Sequence, residues 1–254
     1  IVTLGGMLAF RGAAMWITQG NTVPLGENWI ATLGTAYVPS PIGWTLAIFG
    51  VALLVLSTWW GRRSALRSGL SVEAAWKAAG RTAGISGLVL GFMGIMARYE
   101  GIPIPVLVML ALMLLFHFLA MHTTFGRHVY AIGGNQEAAY MSGIPVRRRS
   151  LGVFLCMGGL SVVAASVLTA RVGSASPDAG QLLELDAIAS CVIGGTSLMG
   201  GRGSVLGAIL GALVMESLNN GMSLANMESF WQYVLKGLVL IGAVWIDALS
   251  QERK

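Results

Sequence analysis

Three histidines, His117, His122 and His128, lie near one another in the chain. Histidine is the side chain best suited to metal ligation or to proton transfer near neutral pH. Their spacing suits neither use: no HExxH sets two imidazoles on one helix face beside a carboxylate, and histidines scattered around one helix end read as surface or interface residues. The two cysteines, Cys156 and Cys191, sit in separate apolar runs without a CxxC or Cys/His spacing. That points to packing rather than to zinc or a disulfide framework. No GxSxG presents a nucleophile. The stretch from Gly194 to Ser204, reading GGTSLMGGRGS, has the glycine density of a phosphate-cradling loop. It lacks the closing Lys-Ser/Thr pair and follows an apolar helix segment rather than a strand. The residues therefore give no catalytic group and no metal site, and they call for no cofactor. If nucleotide energy is used, a partner must hold the nucleotide.

The longest polar stretch runs from Thr123 to Arg149, TTFGRHVYAIGGNQEAAYMSGIPVRRR. It contains Glu137-Ala138-Ala139 followed by Gly143, the pattern E-A-A-x-x-x-G. Gly133 and Gly134 read as a turn, Asn135 as an N-cap, and Gly143 as the glycine that closes a short amphipathic helix. Glu137 falls in the first helical turn, where the helix dipole favours a negative charge. Such a helix is either a docking knob for a soluble partner or a connector. In the first case the small alanines let it approach closely. Arg147, Arg148 and Arg149 either aid docking or set membrane topology.

A second set of polar residues flanks a short apolar stretch. Glu184 and Asp186 stand at its mouth, with Arg171 available as an ionic partner across the preceding loop. Charges at a membrane are costly and functional by default. Here they either staple a re-entrant segment, the favoured reading, or line a solute entrance. The glycines from Gly194 to Gly203 permit tight packing at an irregular segment. Thr196 and Ser197 offer hydrogen bonds to the backbone or to a solute. Asn219 and Asn220, at the end of a membrane segment, are either neutral pathway residues or a helix cap.

The elements that must position these residues are membrane helices. Charged residues make up 11% of the 254-residue chain, against about 25% in a soluble domain. Apolar stretches of spanning character run Pro41–Trp60, Arg81–Ala97, Ile102–Met121, Leu151–Ala170, Gly203–Leu218 and Phe230–Ile246. Ile1–Thr18 and Ala187–Met199 are weaker, and the latter is too short to span alone. The fold class expected is an all-α polytopic transmembrane bundle of about seven or eight membrane segments, one of them short or re-entrant.

Basic residues then set the orientation. Arg62, Arg63, Arg67, Lys77 and Arg81, then Arg127 and Arg147–Arg149, then Arg202, and finally Arg253 and Lys254 fall on alternate sides of the spans from Glu27, Glu100, Asp178, Glu184 and Glu228. This places the C-terminus in the cytoplasm. The net charge of +5 is accounted for by topology, so nucleic acid is not expected as a partner. Trp16, Trp29, Trp44, Trp59, Trp60 and Trp231 lie near expected helix ends, where amphipathic rings favour the interface.

The loop around Glu137 resembles the coupling loop of the membrane subunits of ATP-binding-cassette (ABC) importers. The likeness extends through GRHVYAIGGNQEAAYMSGIPVRR, ARVGSASPDAGQLLELDAIASCVIGGTSLMGGRGSVLGAILGAL and LNNGMSL…FWQYVLKGLVLIGAVWID, which resemble the monosaccharide branch that includes the ribose and arabinose permeases. The basic insert Gly61–Arg81 and the helix entry YVPSPIGW are similar to those of xylose permeases in particular. The resemblance implies a single permease domain over 1–254 with a cytoplasmic coupling loop at 122–150, in which Glu137, Ala138, Ala139 and Gly143 engage the ATPase. It also implies a cytoplasmic ATP-binding subunit, a periplasmic sugar-binding protein, a second permease copy and a bacterial inner membrane around them. The opening IVTLGGMLAFRG resembles a region well inside the family's full chain, so the expectation is a fragment lacking the leading helices. The competing class is an ion-coupled secondary transporter. That class calls for ionisable groups in mid-membrane, and the spans hold few: Glu216 and Lys236 read as lying nearer the ends of theirs.

Overall fold

The computed structural model describes residues 2–26, 28–67 and 75–252. Ile1, Glu27, Arg253, Lys254 and the middle of the basic insert, 68–74, lie outside the described residues. Helices form at each apolar stretch, because a backbone without water must satisfy its polar groups within its own segment. In chain order they are α1 (Val2–Thr18), α2 (Trp29–Thr35), α3 (Ser40–Arg67), α4 (Ala75–Ala97), α5 (Ile104–His122), α6 (Thr124–Gly134), α7 (Gln136–Met141), α8 (Val146–Val172), α9 (Leu183–Ile193), α10 (Val205–Leu224) and α11 (Ser229–Glu252). Among the described residues, four stretches are long and apolar enough to cross a bilayer: Ser40–Trp60 within α3, Ile104–His122, Val146–Val172 and Val205–Leu224. Thr82–Ala97 and Ser229–Trp245 are shorter apolar helices. Large apolar side chains such as Leu114, Phe118, Phe154, Leu155 and Leu210 stand exposed along these helices. In water such a surface would drive aggregation, and in a bilayer it is the lipid-facing surface.

The basic insert Gly61–Arg81 is entered and left by helix: α3 runs on to Arg67 and α4 begins at Ala75. The arginines and lysine there are good helix formers. Arg63 lies 4.0 Å from the Trp59 ring centroid and Lys77 lies 5.5 Å from that of Trp76, so the ring of each carries the cation. Gly133 and Gly134 form no turn: they are the last two residues of α6.

The chain gathers into two compact units, residues 26–108 and residues 1–25 with 109–254. In the first, α3 and α4 pack together, and a two-residue antiparallel ladder joins β2 (Tyr37–Val38) to β3 (Ile102–Pro103). Met93 and Ile102 are buried there over Gly43, where a Cβ would collide with the Met93 side chain. In the second, a similar ladder joins β1 (Val23–Pro24) to β4 (Ser174–Ala175) just after α8. Gly173 ends α8 in the left-handed conformation at φ 72, and its carbonyl accepts from Leu25 N–H at 2.9 Å. The α6–α7 loop, α8 and the α9–α10–α11 cluster all belong to this second unit.

Candidate functional site

The α6–α7 segment is fixed by caps at every end. The Thr123 hydroxyl accepts from Gly126 N–H at 3.3 Å and donates to Leu119 O at 2.6 Å, turning the chain sharply out of α5. Gly126 sits against the carbonyls of Leu119 and Ala120, where no Cβ fits. Asn135 ends one helix and begins the next. Its N–H donates to Ala131 O at 3.1 Å, and its Oδ1 accepts from Ala138 N–H at 2.9 Å. At the other end Gly143 adopts φ 79, with Gly143 N–H bonded to Tyr140 O at 2.9 Å and Ile144 N–H to Ala139 O at 3.1 Å. That pair of bonds is the Schellman closure, which favours glycine in the left-handed position. A helix of six residues is too short to hold itself, so these caps decide whether it exists.

Glu137 stands exposed in the first turn, and Ala138, Tyr140 and Met141 are exposed beside it. Ala139 is buried, at 5% exposure. The 3.6-residue periodicity turns Ala139 inward while Ala138 stays outside. A shallow depression of about 340 Å³ lies at this knob, lined by Gln136, Glu137, Tyr140 and Val146.

The knob is tied to the glycine turn between α9 and α10. The Tyr130 hydroxyl donates to Gly203 O at 2.8 Å. Gly133, near the end of α6, meets Gly200 and Gly201 backbone to backbone. A Cβ on Gly133 would stand 2.5 Å from Gly201 N, and one on Gly200 would stand 2.6 Å from Gly133 O. Thr196 lies inside the turn, half-buried, its N–H bonded to Cys191 O at 2.9 Å and its side chain against Gly203.

Beyond the turn, α9 and α10 cross closely. Gly194 and Gly207 abut, and Gly211 lies on the Ser190 carbonyl, so none of the three glycines has room for a Cβ. This is small-residue packing of the kind that joins helices in lipid. Ser204 caps α10, its Oγ accepting from Gly207 N–H at 3.0 Å.

The expected ionic partner of Glu184 and Asp186 is not Arg171. Arg171 is exposed in the last turn of α8, where its charge suits the helix C-terminus, and Glu184 is exposed in the first turn of α9. Asp186 instead accepts from Lys236 Nζ of α11 at 2.8 Å, because α9 packs on α11 and carries Asp186 to it. Lys236 thus lies inside α11 and has a use that the linear sequence concealed.

Asn219 and Asn220 also need correcting. They neither end nor cap α10, which continues to Leu224. Asn220 is exposed. Asn219 makes a long 3.5 Å contact to Glu216, while its Oδ1 is buried without a hydrogen-bond partner among the described residues. Among the described residues, no three of His, Cys, Asp or Glu group to hold a metal ion.

The profile of one protein family, described as branched-chain amino acid transport system / permease component, matches residues 1–244. The chain belongs to this permease family. It is 46% identical over 253 residues to the xylose transport system permease protein XylH of Escherichia coli (strain K12), covering 100% of this chain and 64% of that protein. The corresponding protein of Haemophilus influenzae is 46% identical over 255 residues, covering 100% of this chain and 68% of its own length. The ribose import permease protein RbsC of Bacillus subtilis (strain 168) is 47% identical over 149 residues, covering 59% of this chain and 46% of its own. The chain thus spans about 64% of the length of the first of these relatives. No solved structure matches it. As a member of this permease family with long apolar helices, the chain is a polytopic helical membrane protein.

Proposed function

We propose that this chain forms the core of the membrane subunit of an ABC importer that carries a monosaccharide, xylose or a related pentose, into the cytoplasm. Its partners are a cytoplasmic ATP-binding subunit, a periplasmic sugar-binding protein and a second copy of the permease in the bacterial inner membrane, with the C-terminus on the cytoplasmic side. The chain itself is not an enzyme: the ATPase site lies in the partner. The observation that carries this reading is likeness to xylose permeases along the whole chain. The α7 knob, capped at both ends and bearing exposed Glu137, supports it as the place where the ATPase docks. That Arg171, Glu184, Asp186, Thr196, Asn219 and Asn220 line or gate the sugar path belongs to the same proposal.

Uptake of labelled xylose by cells expressing the permease containing this chain, its ATPase subunit and its binding protein tests the reading. Unlabelled ribose, glucose and leucine serve as competitors, leucine because the family's description names branched-chain amino acids. The expected result is uptake that stops on ATP depletion, survives collapse of the proton gradient and is competed by pentose. Uptake that ignores ATP depletion and follows the ion gradient overturns it in favour of a secondary transporter.

A further inference from the structure

Several connections converge on the turn between α9 and α10. From α6 come the Tyr130 Oη–Gly203 O bond of 2.8 Å and the backbone contact of Gly133 with Gly200 and Gly201. From α11, Asp247 Oδ2 accepts from Leu198 N–H at 3.2 Å. Inside the turn, Ser197 N–H bonds Arg202 O at 3.1 Å, and Thr196 N–H bonds Cys191 O at the end of α9 at 2.9 Å. At the opposite end of α9, Asp186 is held to α11 by Lys236.

On its α6 side this junction is a close backbone-to-backbone contact. A contact between side chains gives way by rotamer change, but glycine backbone against glycine backbone has no rotamer to yield, and packed interiors transmit strain. The α9–α10 crossing at Gly194, Gly207 and Gly211 likewise brings backbone against backbone. A displacement of α6 is therefore passed to the turn, and from the turn to α9 and α10, unless the contact separates.

Resting on the reading of α7 as the ATPase-docking knob, we infer that the α6–turn contact is the joint that delivers the knob's displacement to the short membrane helix α9. Tyr130, Gly133 and Gly200 are its positioning residues. None of the three touches the ATPase or the solute; they fix how far movement of α7 moves α9. Tyr130 also borders an apolar cleft of about 280 Å³ with Phe125, Gly126, Cys156 and Val205.

The test uses proteoliposomes holding the permease containing this chain with its ATPase subunit and a saturating sugar-binding protein. Sugar uptake, ATP hydrolysis and ATPase retention are measured together. Tyr130→Phe keeps the ring and removes the one donor to Gly203 O. It should leave ATPase retention and basal hydrolysis at the wild-type level and raise ATP consumed per sugar about fivefold, the scale of one lost hydrogen bond. Gly133→Ala forces the backbones apart and should uncouple more strongly. Gly134→Ala, one residue on in the same helix with open space around its Cβ, should behave as wild type. Wild-type ATP-per-sugar ratios in both Tyr130→Phe and Gly133→Ala, or equal uncoupling by Gly134→Ala, overturn the joint. So does loss of ATPase retention by Tyr130→Phe, which makes Tyr130 a docking residue. A wild-type complex with no ATP-driven uptake contradicts the importer reading itself, and the joint falls with it.

Discussion

Lys236 Nζ stands 2.8 Å from Asp186 Oδ2, so a positive charge inside α11 is answered by a carboxylate in the first turn of α9. The two residues are 50 positions apart in sequence. Their side chains keep 25% and 18% of their exposure, so water screens the pair only in part. Removing one partner strands the other charge at the helix junction, which is worse than removing both.

The pair is therefore expected to show strong coupling. Asp186→Asn or Lys236→Gln alone should cost about 1–3 kcal/mol, less than a fully buried pair would lose. The double variant should recover part of that loss, by the non-additivity expected of contacting residues. Thermal unfolding of the purified permease in detergent reads this directly. Strictly additive single and double variants would mean the bridge contributes nothing.

The α9–α10 crossing gives a sharper contrast within one helix. A Cβ on Gly211 meets the Ser190 backbone, whereas one on Gly221 meets nothing within 4 Å. Gly211→Ala should destabilise by about 1–3 kcal/mol, the usual cost of overpacking. Gly221→Ala should cost nothing, since alanine is the better helix former. Unfolding midpoints of the two variants side by side check this, and equal midpoints would count against the crossing.

The caps of α7 are expected to matter more than its own sequence. Asn135→Ala removes the side-chain acceptor for Ala138 N–H, at about 1 kcal/mol. Gly143→Ala forces a Cβ into the left-handed region at φ 79, at about 1–2 kcal/mol. Each should raise hydrogen exchange at the amides of Ala139 to Ile144 while leaving α8 protected. Unchanged exchange in both variants would show that tertiary packing alone holds the helix.

Local rules made the knob readable from sequence. An Asn before Glu137, a glycine after Met141 and an acid in the first turn are short-range signals, and Asn135, Glu137 and Gly143 occupy those roles in the structure. Gly133 and Gly134 misled because glycine marks both a turn and a helix surface against which another backbone packs. Only the approach of Gly200 and Gly201 distinguishes the two. Arg171 was the nearest cation in sequence to Asp186, yet the true partner arrives on α11, which no spacing rule reveals. Asn219 and Asn220 read as a helix end because hydropathy falls there. The backbone ladder nevertheless continues, since a helix in a membrane keeps its own hydrogen bonds past a polar residue. Tyr130 carried no signal at all: its partner Gly203 is 73 positions away.

If this chain takes its energy from another protein through the α7 knob, Glu137→Lys breaks that link. Glu137 is exposed in the first turn of α7, so reversing its charge leaves the membrane helices untouched. The tagged permease containing this chain, wild type and Glu137→Lys, is extracted from membranes and the co-purifying ATPase subunit is quantified. The wild type should retain the ATPase, and Glu137→Lys should lose it while reaching the membrane in equal amount. Equal retention by both, with normal sugar uptake by the variant, would contradict the account.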